Sequence, residues 1–183
     1  MKTHPEHGPY LRVTVLGVPI YLHWSLPLLG AGIGLLPAMY TPPGRGFTAC
    51  LWVTAFLVLL VLLHEIGHAV CARAVSARVH GIVLSALGGC CFCEEPVQLG
   101  RKLVILLGGI GAQLALLVVS SGLLWLLGAP SSEALTCLVF VFVGVNVVYI
   151  AFSAFPSNGS DGERILAAIR EGRKSGSGAG RAT

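Results

Sequence analysis

Charge is what this sequence has least of. Only 11% of its 183 residues are Asp, Glu, Lys or Arg, against 55% hydrophobic, and the mean hydropathy is +0.82. A water-exposed domain carries about a quarter charged residues, so the balance excludes an ordinary soluble globule and makes lipid the solvent. A basic stripe interleaved with aromatics is also missing. The net charge of +4 comes from twelve Lys and Arg residues, and these sit between apolar runs. That excludes nucleic acid as a partner and reads as the flanks of membrane helices. The six cysteines, Cys50, Cys71, Cys90, Cys91, Cys93 and Cys137, do not make the disulfide framework of a small secreted domain. The segment up to Pro19 lacks a compact apolar core ending in a small-residue cleavage site, so no removed signal peptide is expected. No internal repeat is evident, and the length sets a prior of one domain.

What is present is four apolar stretches: Ile20 to Met39, Phe47 to Ala74, Leu103 to Leu127 and Leu135 to Phe155. Each is long enough for a bilayer core, which takes about 20 helical residues. The first contains Pro27 and several glycines, which permit a broken or tilted helix. The expected fold is therefore an all-α polytopic membrane protein with about four transmembrane helices. Lys2, Arg12, Arg73, Arg78, Arg101, Lys102 and the basic residues from Arg164 onward collect on one side, and only Arg45 falls on the other. By the positive-inside rule both termini are cytoplasmic. Residues 1–19 are then a cytoplasmic segment, 20–162 the membrane core, and 163–183 a cytoplasmic tail. Glu163 to Arg170 reads as a short surface helix, with disorder from about Ser175.

Val79 to Glu95, between the second and third stretches, is apolar and β-prone before it turns at Gly88-Gly89. It predicts a short membrane-associated β-hairpin, covered by protein or lining a cavity. Such a hairpin is suited to binding an extended peptide by strand addition, with Ile82 and Leu84 as substrate-binding positions. Cys90, Cys91 and Cys93 lie at its turn. They are read as small packed side chains, the alternative being metal or redox chemistry. His23 and Trp24 are read as interfacial anchors, and His80 as a loop residue.

The sharpest motif is His64-Glu65-Ile66-Gly67-His68. Residues four apart share a helix face, so both imidazoles can reach one zinc ion, one per chain. Glu65 is placed as general base toward water activated by that ion. A charged side chain in an apolar helix costs roughly 2.5–3.5 kcal/mol on the insertion scale. Two histidines and a glutamate at that depth therefore need a compensating partner, and a dication supplies it. A catalytic zinc takes three protein ligands and keeps an open position. Asp161 is the best third ligand, because the second and fourth stretches both run inward and end at the same depth. The alternatives are Glu163, then Glu94 and Glu95, and an ordinary turn role for Asp161 itself. Asn146 is a mid-helix amide that needs a partner in lipid; a helix–helix hydrogen bond explains it as well as a role near the site does.

These motifs resemble the site-2 protease family, in particular compact bacterial members similar to the sporulation-factor processing protease. The resemblance rests on Gly17-Val18-Pro19-Ile20 with His23-Trp24-Ser25, on His64 to His68, on Ser85 to Gly89, and on Phe152 to Gly162. It implies zinc held by His64, His68 and Asp161, water activated by Glu65, and cleavage of a membrane-embedded or membrane-adjacent peptide bond in the bacterial cytoplasmic membrane. It also puts Asn146 near the site, positioning substrate or stabilising the oxyanion. Ser153 stands where the family motif has Asn, and Gly109 to Gln113 where it commonly has Gly-Pro and an Asn. The implied partners are a transmembrane or membrane-associated protein substrate, the bilayer, and a separate regulatory membrane protein. Two other functions compete: a catalytically silent membrane zinc protein that binds a partner, and a metal transporter or sensor. The retained Glu65 argues against the first, and polar residues confined to one depth argue against the second.

Overall fold

The structure is a computed structural model and describes residues 10–15, 17–40, 44–86 and 88–179. In chain order the elements are β1 (Tyr10–Val15), β2 (Val18–His23), α1 (Ser25–Ala38), α2 (Gly46–Ala74), β3 (Val79–Ser85), β4 (Gly88–Cys93) and α3 (Leu99–Leu127). Then come α4 (Glu133–Val139), a π-helical segment (Phe140–Val145), α5 (Asn146–Ala154) and α6 (Asp161–Ala179).

Among the described residues three helices are long and apolar enough to cross a membrane: α2, α3 and the continuous run Glu133–Ala154. Only 28%, 28% and 22% of their most apolar windows are buried inside the protein. Leu107, Val118, Leu126 and Val148 all face outward, which suits lipid and not water. The chain reads as an integral membrane protein. Its first apolar stretch, expected to make a fourth span, is divided between β2 and α1. With 14 residues α1 is about 21 Å long, short of the roughly 30 Å hydrocarbon core.

The expected hairpin is present as β3–β4, but it is half of a larger sheet. Among the described residues the sheet has four strands in the order β1-β2-β3-β4, antiparallel at both outer pairs and parallel between β2 and β3. Residues assigned to a polar N-terminal segment thus pair along the hairpin, and the fold is mixed where an all-α core was expected. The alternation of Val13, Val15, Val18 and Ile20 fits strands; its partner lies some sixty residues on, beyond α1 and α2. At the other end α6 continues to Ala179, past Ser175 where a flexible tail was expected. A helix already nucleated extends at little cost.

The pairing corrects the substrate positions on the hairpin. β3 is bonded on both sides, and Ile82 and Leu84 are each 2% exposed, packed in the core with Val61 and Ala69. Among the described residues, the strand of the hairpin with an unpaired edge is β4. The turn itself is tied to the start of α1: Ser25 Oγ lies 2.7 Å from His23 Nδ1 and accepts from Ala86 N at 3.1 Å. His23 therefore braces the turn, while Trp24 remains exposed.

Candidate metal centre

α2 carries His64, Glu65 and His68 into the core, at 4%, 2% and 7% exposure. Helical spacing brings the two rings together edge to face on one side of the helix, with centroids 4.8 Å apart and Nε2 atoms 3.2 Å apart. Between them Gly67 seals α2 against α3. A Cβ there would collide with the Gly108 carbonyl, and one on Gly108 would lie 2.6 Å from the Gly67 oxygen. A glycine inside a helix costs about 1 kcal/mol relative to Ala, and this close approach is what it provides. Gly109 then lies flat beneath the rings, its missing Cβ leaving room for His68 Nε2 and the Cε1 edge of His64. His68 Nδ1 has its own partner on α3, the Ile105 carbonyl at 2.8 Å.

Asp161 arrives from the other end of the chain. α5 stops at Phe155, which is extended ahead of Pro156. Ser160 caps the next helix: its Oγ accepts from Glu163 N at 3.2 Å and donates to Phe155 O at 2.7 Å. Glu163 reaches back to accept from Gly159 N at 2.6 Å, a variant of the capping box. Gly162, whose Cβ would strike the Ala154 carbonyl, lets the first turn of α6 close on α5. Asp161, 7% exposed, is thereby turned toward the histidines.

The three donor atoms form a nearly equilateral triangle. Asp161 Oδ2 is 3.1 Å from His64 Nε2 and 3.2 Å from His68 Nε2, and the third side is the 3.2 Å between the rings. Tetrahedral zinc with bonds of about 2.0–2.1 Å wants its ligands about 3.3 Å apart, so the residues present fit that ion on one face of a tetrahedron. Burial works to raise the Asp161 carboxyl, but the His64 and His68 rings outweigh it and hold the group below the usual carboxylate range. His64, Glu65 and His68 also group as potential metal donors. Glu65 stands off, with Oε1 4.0 Å from His64 Nε2 and Oε2 without a hydrogen-bond partner among the described residues. Gly89 of β4 packs directly on this carboxylate.

The alternative third ligands are occupied elsewhere. Glu163 is exposed and engaged in the cap. Glu94 accepts from Arg78 N at 3.3 Å, and Glu95 pairs with Lys102 at 2.5 Å. Asn146 is fully buried, and its Nδ2 donates to Gln113 O at 3.0 Å and Phe142 O at 3.3 Å. One of these bonds crosses to α3 and the other stays within its own helical run, which favours the helix–helix explanation.

A cavity of about 810 Å³ opens onto the centre between α1, the β3–β4 turn and α5. Leu26, Ile33, Val61, Val148 and Phe152 make its walls apolar. Tyr149 sets its ring edge-on to His64 at 5.4 Å. Sequence reasoning missed Tyr149 and the cradle glycines; the one available signal was that Tyr149 lies a helical turn after Asn146. A second cavity of about 360 Å³ reaches His68 from the other side, lined by Cys91, Cys93, Glu94, Glu95 and Arg164. There the thiol contact from Cys91 lowers Cys93 to about 7 and pushes Cys91 up.

No family model matches the chain. Over 161 residues, 85% of its length, it is 28% identical to a zinc metalloprotease of Methanocaldococcus jannaschii. The chain spans 43% of that relative, less than half of its length. Its fold is similar to the solved structure of a site-2 protease from Methanocaldococcus jannaschii, with a TM-score of 0.61 and 22% identity over 87% of this chain and 71% of the other.

Proposed function

We propose that this chain is an intramembrane zinc-dependent endopeptidase, of the site-2 protease kind, that hydrolyses a peptide bond of a membrane-embedded or membrane-adjacent protein. The observation that carries the reading is the 3.1–3.2 Å triangle of His64 Nε2, His68 Nε2 and Asp161 Oδ2 with the Glu65 carboxylate at its side, whose Oε2 has no hydrogen-bond partner among the described residues. A sequence relative named a zinc metalloprotease supports it. His64, His68 and Asp161 hold the ion. Bound there, zinc lowers the pKa of water toward neutrality and polarises the scissile carbonyl.

The chain's own residues do the rest. The apolar walls of the 810 Å³ cavity solvate a segment drawn from lipid and limit bulk water around the reacting bond. A helical substrate keeps its carbonyls in its own hydrogen bonds, so it must unwind there. The edge of β4, unpaired among the described residues, offers backbone groups to the extended stretch. Glu65 takes a proton from the attacking water and delivers it to the leaving amine nitrogen as the C–N bond breaks. Gly89 keeps that carboxylate beside the β4 edge where the substrate lies. Arg73, Arg78, Arg101 and Lys102, around the turn from α2 to α3, support a cytoplasmic side for that turn and for the start of α6, where the metal site lies.

The test is zinc content and cleavage of a panel of single-span model peptides in liposomes, comparing the native protein with Glu65→Gln. The reading expects one zinc per chain in both forms and at least a hundredfold slower cleavage by the variant. Zinc in both with cleavage by neither supports a silent zinc-binding protein instead. Equal cleavage by both sinks the assignment of the base.

A further inference from the structure

Apart from Glu65 Oε2 and Asp161 Oδ2 at the metal site, four buried side-chain polar atoms have no hydrogen-bond partner among the described residues: His64 Nδ1, Gln113 Nε2, Gln113 Oε1 and Asn146 Oδ1. Gln113 and Asn146 are both 0% exposed, between α3 and α5. Unmade hydrogen bonds are costly where no bulk water can replace them, so four together call for an explanation. We infer that the Gln113 side-chain amide holds the outer nitrogen of His64, accepting from Nδ1–H at Oε1 while donating from Nε2 to Asn146 Oδ1, directly or through one water. This positioning role rests on the metal reading above.

The placement comes from two helices. A Cβ on Gly109 would lie 2.6 Å from both Cε1 and Nε2 of His64, so the Cε1–Nε2 edge of that ring faces α3, and Nδ1 is the atom bonded next to Cε1. Gln113 is one turn further along the same face of α3. On the opposite side α5 sets Tyr149 against His64 at 5.4 Å, and Asn146 lies one turn earlier on that helix. The two turns meet, since Asn146 Nδ2 donates to the Gln113 carbonyl at 3.0 Å. The π-helical segment ends at this point, with the Asn146 N–H reaching back to Val141 O. Such wide turns often mark functional positions.

The donors and acceptors match. With Nε2 on the metal, the remaining proton of His64 sits on Nδ1 and needs an acceptor. Both donors of Asn146 Nδ2 are aimed at carbonyls, of Gln113 and Phe142, which leaves its Oδ1 as an acceptor in need of a donor. Gln113 supplies one of each from a single planar amide, and all four atoms are satisfied. A metal-ligating histidine nearly always has its other N–H held in this way, and His68 already does, on Ile105 O at 2.8 Å. Ile105, Gly109 and Gln113 fall at successive four-residue steps of α3. One stripe of that helix thus holds one histidine, cradles both rings and holds the other.

The test compares native protein with Gln113→Met, which keeps length and loses both polar atoms, and Gln113→Glu, which when protonated keeps one donor and one acceptor. Zinc affinity is read by chelator competition, and the ring Nδ1–H signals by proton–nitrogen spectra of the zinc-loaded protein in detergent. Gln113→Met is expected to weaken zinc binding about 10–100-fold and to shift the His64 Nδ1–H signal while leaving that of His68 in place. Gln113→Glu is expected to restore both. Native affinity in Gln113→Met overturns the inference alone, as does equal loss in both variants with the His64 signal unmoved. A native protein that takes up no zinc overturns the metal reading, and this inference with it.

Discussion

The two flanks of α2 are built on opposite plans. Toward α3 the helix is sealed: Gly67 and Gly108 meet backbone to backbone, and Gly109 lies under both imidazoles with no room for a methyl group. Toward α1, α5 and the sheet it is open, across a cavity of about 810 Å³. The sealed flank fixes where the ring nitrogens point, a matter of tenths of an ångström. The open flank leaves room beside the histidines for the substrate segment of the proposed reaction. One helix thus presents its metal donors between a sealed flank and an open one. Glu65 lies at the border, with Gly89 of the sheet against its carboxylate.

Removing Asp161, the proposed third ligand, should have the largest effect. Asp161→Ala is expected to cut zinc affinity by more than the ~100-fold typical of a lost outer partner, as read by chelator competition. Glu163→Gln, two residues on, should leave zinc in place and lose up to about 1 kcal/mol of the α6 cap, seen as a small drop in thermal stability. Equal zinc loss in both would mean the wrong carboxylate has been chosen.

The next two changes separate the flanks. Gly109→Ala puts a methyl against His68 Nε2 and the His64 edge, and should weaken zinc about 10–100-fold. Gly32→Ala, which meets nothing within 4 Å, is its control and should leave zinc unchanged. On the other flank Gly89→Ala displaces the Glu65 carboxylate. It should slow cleavage up to about a hundredfold, as a misplacement near 1 Å does, with zinc content unaltered. If Gly89→Ala empties the metal site as Gly109→Ala does, the flanks are not independent.

The smallest effect concerns the cavity behind His68. Cys93, lowered to about 7 by the Cys91 thiol beside it, should be alkylated by iodoacetamide with a rate that rises through about pH 7, because the thiolate is the nucleophile. Cys91, shifted the other way, should stay unreactive over that range. Similar rates for the two would remove the thiol contact from the account.

How much could be read in advance depended on the reach of each interaction. α2 and the membrane-length helices were plain from continuous apolar runs, and His64, Glu65 and His68 from a four-residue spacing that the helix itself turns into one face. Asp161 needed only the counting of spans to bring two helix ends to one depth. The sheet was half readable: β3 and β4 are neighbours in sequence, whereas β2 finds β3 across two intervening helices. No local pattern encodes such a pairing, and it moved the exposed edge from the strand of Ile82 and Leu84 to β4.

By itself, then, the sequence determined a membrane protein with a metal-binding helix face, because hydropathy and helical period act over a few residues. Only the tertiary structure decided how the strands of the sheet pair, which glycines cradle the rings, and that Asn146 bonds across to α3. It also decided that Ile105 and Gly109 of α3 lie against the histidines of α2. Those outcomes depend on close packing between segments dozens of residues apart, where a single methyl group determines whether two backbones can meet.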